Sequence, residues 1–237
     1  HLGATIGSWI AGQLQFPASA TRTMLGCGVA AAIAASFNAP IAGVLFALEV
    51  ILGHYALSAF VPIVISSVTA TVITRINLGN YPAFAIPDYS IMSFYEFPAF
   101  ALLGFVCAAV AISFQYTLIT VDRIARDITM PLFVRPMLGG AAVGCMGVFL
   151  PDIMGVGYAA TDAALRQQYP LILLVVLIIA KATATAITLA SRFGGGVFSP
   201  SLYLGAMTGG AFGIVAAMAF PEQASSHGLY ALIGMGG

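Results

Sequence analysis

Long apolar segments follow one another along almost the whole chain, and short polar interruptions separate them. The apolar segments cover residues 2–14, 23–35, 40–53, 56–75, 94–121, 132–150, 170–190, 198–220 and 229–235. A straight helix needs about 20 apolar residues to cross the hydrocarbon core of a bilayer, and several of these segments are shorter. The pattern therefore predicts an all-α membrane protein with several spans, in which some helices are broken.

The sequence SFNAP at residues 36–40 separates two of the short apolar segments. Asn38 suits a helix N-cap, and Pro40 suits the first turn of a new helix. We therefore expect two short helices that meet inside the membrane. Irregular backbone at that depth must be buried in protein or line a cavity.

The flanks of the 94–121 segment indicate where its helix begins and which side its loops face. Ser93 and Glu96 are spaced as in a capping box, which predicts a helix start there. The preceding stretch, 79–89, is rich in turn-forming residues and is predicted to be an exposed loop. The loop at 122–135 carries three arginines, whereas 77–93 carries no lysine or arginine. This bias favours a cytoplasmic position for the later loop.

Composition excludes a water-soluble domain and gives no sign of an enzyme. Hydrophobic residues make up 60% of the chain and charged residues 7%, against about 25% charged residues in soluble domains. The net charge of zero gives no reason to expect a nucleic-acid partner. Cys27, Cys107 and Cys145 stand singly in apolar segments, so we expect small core residues and no metal or cofactor. Ser199 and Ser201 lack the Gly-x-Ser-x-Gly context of a catalytic nucleophile.

Two short glycine motifs suggest an internal repeat. MLGCG at residues 24–28 and LIGMG at 232–236 share two apolar residues followed by Gly, any residue and Gly. Inverted repeats are common in membrane transporters. The motif pair therefore predicts a repeated helix arrangement in the two ends of the chain.

The segment GGGVFSP at residues 194–200 places flexible residues directly before a predicted helix start near Val197. The first four N–H groups of a helix have no partner within it, and the dipole adds about half a positive charge. Glycines let an ion approach the backbone closely. These features predict an anion site made of main-chain amides within the membrane. The alternative is a kinked helix with a glycine hinge.

Two regions of the chain resemble the CLC family of chloride channels and chloride/proton antiporters. GGGVFSPSLYLGAMTGGAFG resembles the G-x-F-x-P signature region of that family, and GCGVAAAIAASFNAPIAGVLFALEV resembles an earlier region. GVGYAATDAAL lies between them at a fitting distance. The resemblance covers essentially the whole chain. It implies a multi-span, inverted-repeat fold of tilted and broken helices, and a homodimer with one anion pathway per subunit.

The same resemblance assigns roles within GGGVFSP. It implies that the main-chain N–H groups of Val197 and Phe198 contact a central chloride ion. Gly195, Gly196 and Pro200 would shape the loop around that ion.

The resemblance also predicts how the chain is divided. Residues 1–76 would form the end of the first inverted half, and residues 93–237 most of the second. The family's pore-serine, gating-glutamate and late-tyrosine motifs do not occur in this sequence. We therefore expect a central fragment of the membrane domain, with no soluble domain visible.

Three positions within apolar segments bear on ion coupling: Glu49, Val50 and Lys181. A carboxylate such as Glu49 in an apolar segment indicates function by default, the alternative being a structural pair or a wet surface. The resemblance places the proton-relay glutamate of family antiporters at Val50, and adjacent helical residues point about 100° apart. A passive chloride pathway is therefore favoured over proton coupling. Lys181 either attracts anions or pairs with a carboxylate such as Glu49, and we favour the pair.

The resemblance thus implies chloride transport by an integral multi-pass membrane protein. The Ala- and Gly-rich sequence suggests the bacterial inner membrane. Its expected partners are chloride, protons if transport is coupled, the lipid bilayer and a second copy of the chain. The alternative is a secondary transporter of another small anion or metabolite. Recognition of a larger ligand needs side-chain groups, and GGGVFSP offers mainly backbone.

Overall fold

The computed structural model describes residues 1–82, 84, 87, 89, 96–128, 131, 133–220 and 225–237. These residues form helices and contain no strand, so the predicted all-α fold is confirmed. The α-helices are α1 (Leu2–Gln13), α2 (Ala18–Phe37), α3 (Pro40–Phe46), α4 (Leu57–Leu78), α5 (Phe97–Asp127), α6 (Val134–Phe149), α7 (Tyr158–Leu165), α8 (Leu171–Ala190), α9 (Phe198–Ala219) and α10 (His227–Gly236). A π-helical segment (Ala47–Leu52) continues α3, and a 3₁₀ turn (Pro151–Ile153) follows α6.

The chain divides into two compact units, His1–Ala85 and Ile86–Gly237. In the first unit α2 packs against α1 and α4. Its core is made of small and branched side chains, among them Ala30, Leu48 and Ile63, which are fully buried. Small residues such as alanine let these helices approach closely in lipid.

In the second unit α9 is the central helix, because it packs against α5, α7, α8 and α10. Leu177, Tyr203 and Met207 fill the core between α8 and α9. A smaller cluster joins α5 to α10 through Leu103 and Tyr230. The helix that begins at GGGVFSP is therefore packed against four neighbouring helices.

Five of the described helices, α2, α4, α5, α8 and α9, are long and apolar enough to cross a membrane. Two apolar segments, Pro40–Leu52 and Val134–Phe149, are shorter, so the predicted mixture of long and short helices is confirmed. The loop predicted to begin at residue 122 begins later, because α5 continues to Asp127. Arg126 donates to Asp122 at 2.8 Å, and such pairs four residues apart stabilise a helix. Of the predicted capping box, Ser93 lies outside the described residues and Glu96 directly precedes α5.

Asn38 has a different role from the one predicted. It ends α2 in a left-handed conformation, with φ 52°, and Ala39 is the N-cap of α3 ahead of Pro40. Asparagine tolerates this conformation because its side chain bonds locally. Here Arg75 donates to the Asn38 side-chain oxygen at 2.7 Å, and the Asn38 amide donates to Asn80 at 3.0 Å. The residue thus ties the end of α2 to the end of α4.

Each unit contains a helix pair that is joined by direct glycine contacts. A Cβ atom on Gly3 of α1 would lie 2.1 Å from the carbonyl oxygen of Gly28 on α2. A Cβ atom on Gly205 of α9 would lie 2.2 Å from the carbonyl oxygen of Gly234 on α10. The glycines of α1 and α9 open the similar sequences GATIG and GAMTG, of the small-xxx-small type found at membrane helix contacts. The repeat therefore extends beyond MLGCG and LIGMG, while the division at residues 76 and 93 stays a prediction.

Candidate anion site

The GGGVFSP segment leads directly into α9. The helix begins at Phe198 with Val197 as its N-cap, one residue after the predicted start. The Ser201 N–H donates to the Val197 carbonyl oxygen at 2.9 Å and the Ser201 hydroxyl donates to the same oxygen at 2.8 Å, which closes the first turn. No side chain in the described part of the chain caps this helix start. The positive end of the α9 dipole therefore lies at the glycine stretch.

Two cavities meet the predicted anion loop, both within the second unit. The amide cavity has a volume of about 250 Å³ and is lined by Val197 and Phe198 together with residues of α5, α9 and α10. The lysine cavity has a volume of about 430 Å³. Its lining includes residues 194–196, Ser199, Pro200 and Lys181. The five residues predicted as one site thus line two cavities, with Gly195, Gly196 and Pro200 in the lysine cavity.

Thr208 lines the amide cavity and was not singled out by the sequence. The residue is 4% exposed, and its hydroxyl has no hydrogen-bond partner among the described residues. Helical threonines commonly bond a carbonyl oxygen one turn earlier. Its hydroxyl is therefore available to a ligand or a water molecule in this cavity. The sequence reasoning missed Thr208 because it lies among the small residues of GAMTGG and looked like another packing residue.

Lys181 is 3% exposed and points its ammonium group at main-chain oxygens. Nζ donates to the carbonyl oxygens of Ile153 at 2.8 Å and Gly155 at 2.9 Å. It also lies 5.1 Å from the centre of the Tyr203 ring, within the range of a cation–π contact. Both of these hydrogen bonds go to backbone oxygens, and the predicted pair with Glu49, a residue of the other unit, stays a prediction. The two carbonyl oxygens supply hydrogen bonds that a buried ammonium group requires.

Residues 152–157, which we call the carbonyl segment, receive two further donors from α9. The Tyr203 hydroxyl donates to the Asp152 carbonyl oxygen at 3.3 Å, and the Ser199 hydroxyl donates to the Val156 carbonyl oxygen at 2.8 Å. Gly157 has φ 89°, and a Cβ there would lie 2.6 Å from the Tyr203 ring. The sequence analysis assigned Ser199 no role and did not single out Tyr203. Every residue carries a backbone oxygen, so bonds to these oxygens leave no pattern of residue types in the sequence.

The side chain of Asp152 is held by Tyr169, which lies between α7 and α8. Burial, followed by the hydrogen bond to Asp152 and the charge of that carboxylate, raises the pKa of Tyr169 to about 12. The phenol is therefore neutral at physiological pH and donates to the carboxylate. This bond anchors the start of the carbonyl segment from outside the membrane-spanning helices.

Glu49 and Val50 lie in the π-helical segment of the first unit, and both are exposed. The Tyr55 hydroxyl is 3.4 Å from a Glu49 carboxylate oxygen, and Val50 is 61% exposed. Single π-turns are frequent at functional sites. The proposed roles of Glu49 and Val50 in proton coupling stay predictions. Within the described residues no group of three or more His, Cys, Asp or Glu side chains is placed to hold a metal ion.

A family model described as voltage gated chloride channel matches residues 1–237. The chain belongs to the voltage-gated chloride channel family, the CLC family. The resemblance stated from GGGVFSP and the earlier region is thereby confirmed. The chain is a membrane protein of a family of channels and transporters.

Curated CLC relatives extend well beyond the matched region. The chain is 31% identical to the chloride channel protein CLC-e of Arabidopsis thaliana, covering 99% of this chain and 37% of that protein. It is 30% identical to the H(+)/Cl(-) exchange transporter ClcA of Vibrio cholerae, covering 100% of this chain and 52% of the relative. The chain thus spans about half the length of the curated relatives, or less.

Solved CLC structures share the fold. A slow cyanobacterial Cl-/H+ antiporter superposes with a TM-score of 0.85 at 23% identity, covering 99% of this chain and 56% of that one. A CLC-type fluoride/proton antiporter superposes with a TM-score of 0.78 at 25% identity, covering 99% and 57%. The inverted-repeat CLC architecture predicted for the chain is therefore confirmed.

Proposed function

We propose that the protein transports chloride across a membrane and holds the anion at the start of α9. The main-chain amides of Val197 and Phe198 would contact the ion, and Gly195, Gly196 and Pro200 would shape its surroundings. The observation that carries the proposal is the position of GGGVFSP. It begins a membrane helix and lines two cavities in a chain that matches the CLC family throughout.

The charge distribution supports weak, reversible anion binding. No Asp, Glu, Lys or Arg occurs among the described residues that line the amide cavity. An anion there would be held by helix and amide dipoles rather than by a fixed cation. Conduction requires binding that is strong enough for entry and weak enough for release.

The test is anion flux through liposomes that contain the full-length protein. We expect chloride efflux above that of empty liposomes, and we expect chloride to pass more readily than a carboxylate such as gluconate. No flux above background, or a preference for the carboxylate, would contradict chloride transport. A preference for fluoride would contradict chloride as the principal substrate.

One glycine variant places a side chain in the proposed path without straining the backbone. A Cβ on Gly196 meets nothing within 4 Å, and the residue lines the lysine cavity, so Gly196→Leu should obstruct the cavity. Gly144 on α6 also has open space around its Cβ position and lines neither cavity. We expect Gly196→Leu to reduce chloride flux and Gly144→Leu to leave it unchanged.

We further propose that chloride movement is passive. Val50 occupies the position that the family resemblance gives to the proton-relay glutamate, and its side chain cannot carry a proton. Glu49 lies in the π-helical segment beside it, within reach of the Tyr55 hydroxyl. A chloride gradient that drives protons uphill in the same liposomes would contradict passive transport but not chloride transport.

We propose that the protein is a homodimer in the bacterial inner membrane, with α4 contributing to the contact. This helix exposes large apolar side chains on successive turns, including Ile65, Val72 and Ile76. Such a face suits a second copy in the bilayer, because apolar surfaces pack there without charged groups. Single-molecule photobleaching of labelled protein in liposomes should show two copies per particle, and one copy would contradict the dimer.

A further inference from the structure

The carbonyl segment meets three side-chain donors that come from two different helices. Lys181 of α8 bonds the oxygens of Ile153 and Gly155. Ser199 and Tyr203, one turn apart on α9, bond the oxygens of Val156 and Asp152. Four of the five carbonyl oxygens at positions 152–156 therefore have a side-chain donor.

This segment cannot hold its shape by regular secondary structure alone. It leaves the 3₁₀ turn after Ile153, and both Gly155 (φ 64°) and Gly157 (φ 89°) are left-handed. Glycine pays the largest conformational entropy when it is ordered. The side-chain donors supply the bonds that a helix would otherwise supply internally.

The orientation of these oxygens matters because the segment forms one wall of the lysine cavity. Met154, Gly155 and Val156 line that cavity together with residues 194–196. Carbonyl oxygens carry partial negative charge, so an oxygen turned into the cavity would repel an anion. Lys181 and Ser199 line the same cavity, and an oxygen that accepts a bond from either of them has its partial negative charge compensated by that donor.

A lysine is well suited to this task. Its ammonium offers three donors on a long stem, and here one group reaches two oxygens that belong to residues two positions apart. Its charge also faces the Tyr203 ring at 5.1 Å, so Lys181 and Tyr203 support each other as donors to the same segment. A neutral apolar side chain at 181 would leave both oxygens without this donor.

We propose that Lys181 is a positioning residue for the anion pathway, which acts by holding the carbonyl segment in place and by compensating the partial negative charge of its oxygens at the lysine cavity. The inference rests on the proposed anion transport. Its consequence is that Lys181 sets the chloride concentration at which transport is half-saturated. It does so through Ile153 and Gly155, together with Ser199.

The first test compares three variants of the full-length protein in the liposome flux assay. Lys181→Met should raise the half-saturating chloride concentration about tenfold, as expected when bonds to a charged donor are lost, with a smaller change in maximal rate. Lys181→Arg, which keeps charge and donors, should recover most of the wild-type value. Arg192→Met removes a charge from the exposed turn that follows α8 and should leave the value unchanged. An unchanged value in Lys181→Met, or an equal rise in Arg192→Met, would overturn the proposal.

A milder variant covers the case in which Lys181→Met does not fold. Ser199→Ala removes one donor to the same segment without exposing a buried charge. It should raise the half-saturating concentration in the same direction but less. If Ser199→Ala folds and binds chloride as the wild type does, the donors do not position the cavity wall.

A second readout separates this proposal from the proposed function. In a background with the exposed Cys145 replaced by serine, Met154→Cys places a thiol on the carbonyl segment. Lys181→Met should make this thiol react several-fold faster with a polar thiol reagent, because the segment is released. Equal labelling rates would overturn the positioning role even if the wild type transports chloride. Conversely, faster labelling in a protein without chloride flux would support the positioning role and reject the transport function.

Discussion

The contact between α9 and α10 makes a sharp prediction for Gly209. A Cβ atom at this position would lie 2.0 Å from the carbonyl oxygen of Tyr230 and 2.9 Å from the Cα atom of Ala231. These are backbone atoms, so no rotamer change can relieve the overlap, and α10 must move back by more than an ångström. Overpacking of this kind costs about 3 kcal/mol at the upper end of its range. Alanine recovers about 1 kcal/mol of helix propensity, which leaves Gly209→Ala less stable by about 2 kcal/mol.

The assay is thermal unfolding of the detergent-solubilised full-length protein. The measured quantity is the fraction of protein that still elutes as a single species after heating. Gly104→Ala is the matched control, because it makes the same change within the apolar helix α5, where a Cβ meets nothing within 4 Å. We expect Gly209→Ala to unfold several degrees below the wild type and Gly104→Ala at or slightly above it. A Gly209→Ala protein that unfolds with the wild type would refute the close packing of α9 and α10.

Three further predictions concern hydrogen bonds outside the anion loop. Tyr230→Phe removes the 3.2 Å bond from the hydroxyl to the buried Glu96 carboxylate and should lower stability by about 1 kcal/mol in the same unfolding assay. An unfolding midpoint equal to that of the wild type would contradict a contribution of this bond to stability. Asn38→Gly still permits the left-handed conformation but removes the oxygen that accepts the 2.7 Å bond from Arg75, so we expect a stability loss below about 1 kcal/mol. Asn38→Ala should lose more stability, because alanine is strained in the left-handed conformation of residue 38, where φ is 52°. The pKa of Tyr169 rises from 10.0 to about 12 on folding, so its contribution to stability is present below pH 10 and is lost as pH rises towards 12. Tyr169→Phe should therefore lose less stability than the wild type over that interval. An identical decline in the two proteins would contradict the raised pKa of Tyr169.

The apolar segmentation predicted the helices well because burial in lipid and helix formation impose the same requirement on the sequence. The start of α9 was predicted to within one residue, since three glycines before an apolar run leave few alternatives. The end of α5 was missed because Asp122 and Arg126 looked like loop charges. Their spacing of four residues instead supports the last turns of the helix.

The partners of the predicted site residues were harder to obtain from the sequence. Lys181 was expected to pair with Glu49, because a buried ammonium group needs compensation and carboxylates are visible in a sequence. The acceptors that the structure gives Lys181 are backbone oxygens, which every residue carries, and the pair with Glu49 stays a prediction. Likewise Asn38 fits an N-cap or a left-handed C-cap equally well, and only the tertiary bonds to Arg75 and Asn80 decide between them.

The most direct test is a crystal structure of the full-length protein grown in bromide, with the anomalous signal used to locate the anion. A bromide peak within hydrogen-bond distance of the Val197 and Phe198 main-chain nitrogens is the predicted result. A structure in which those nitrogens bond to protein carbonyl groups, with no halide at the start of α9, would contradict the account.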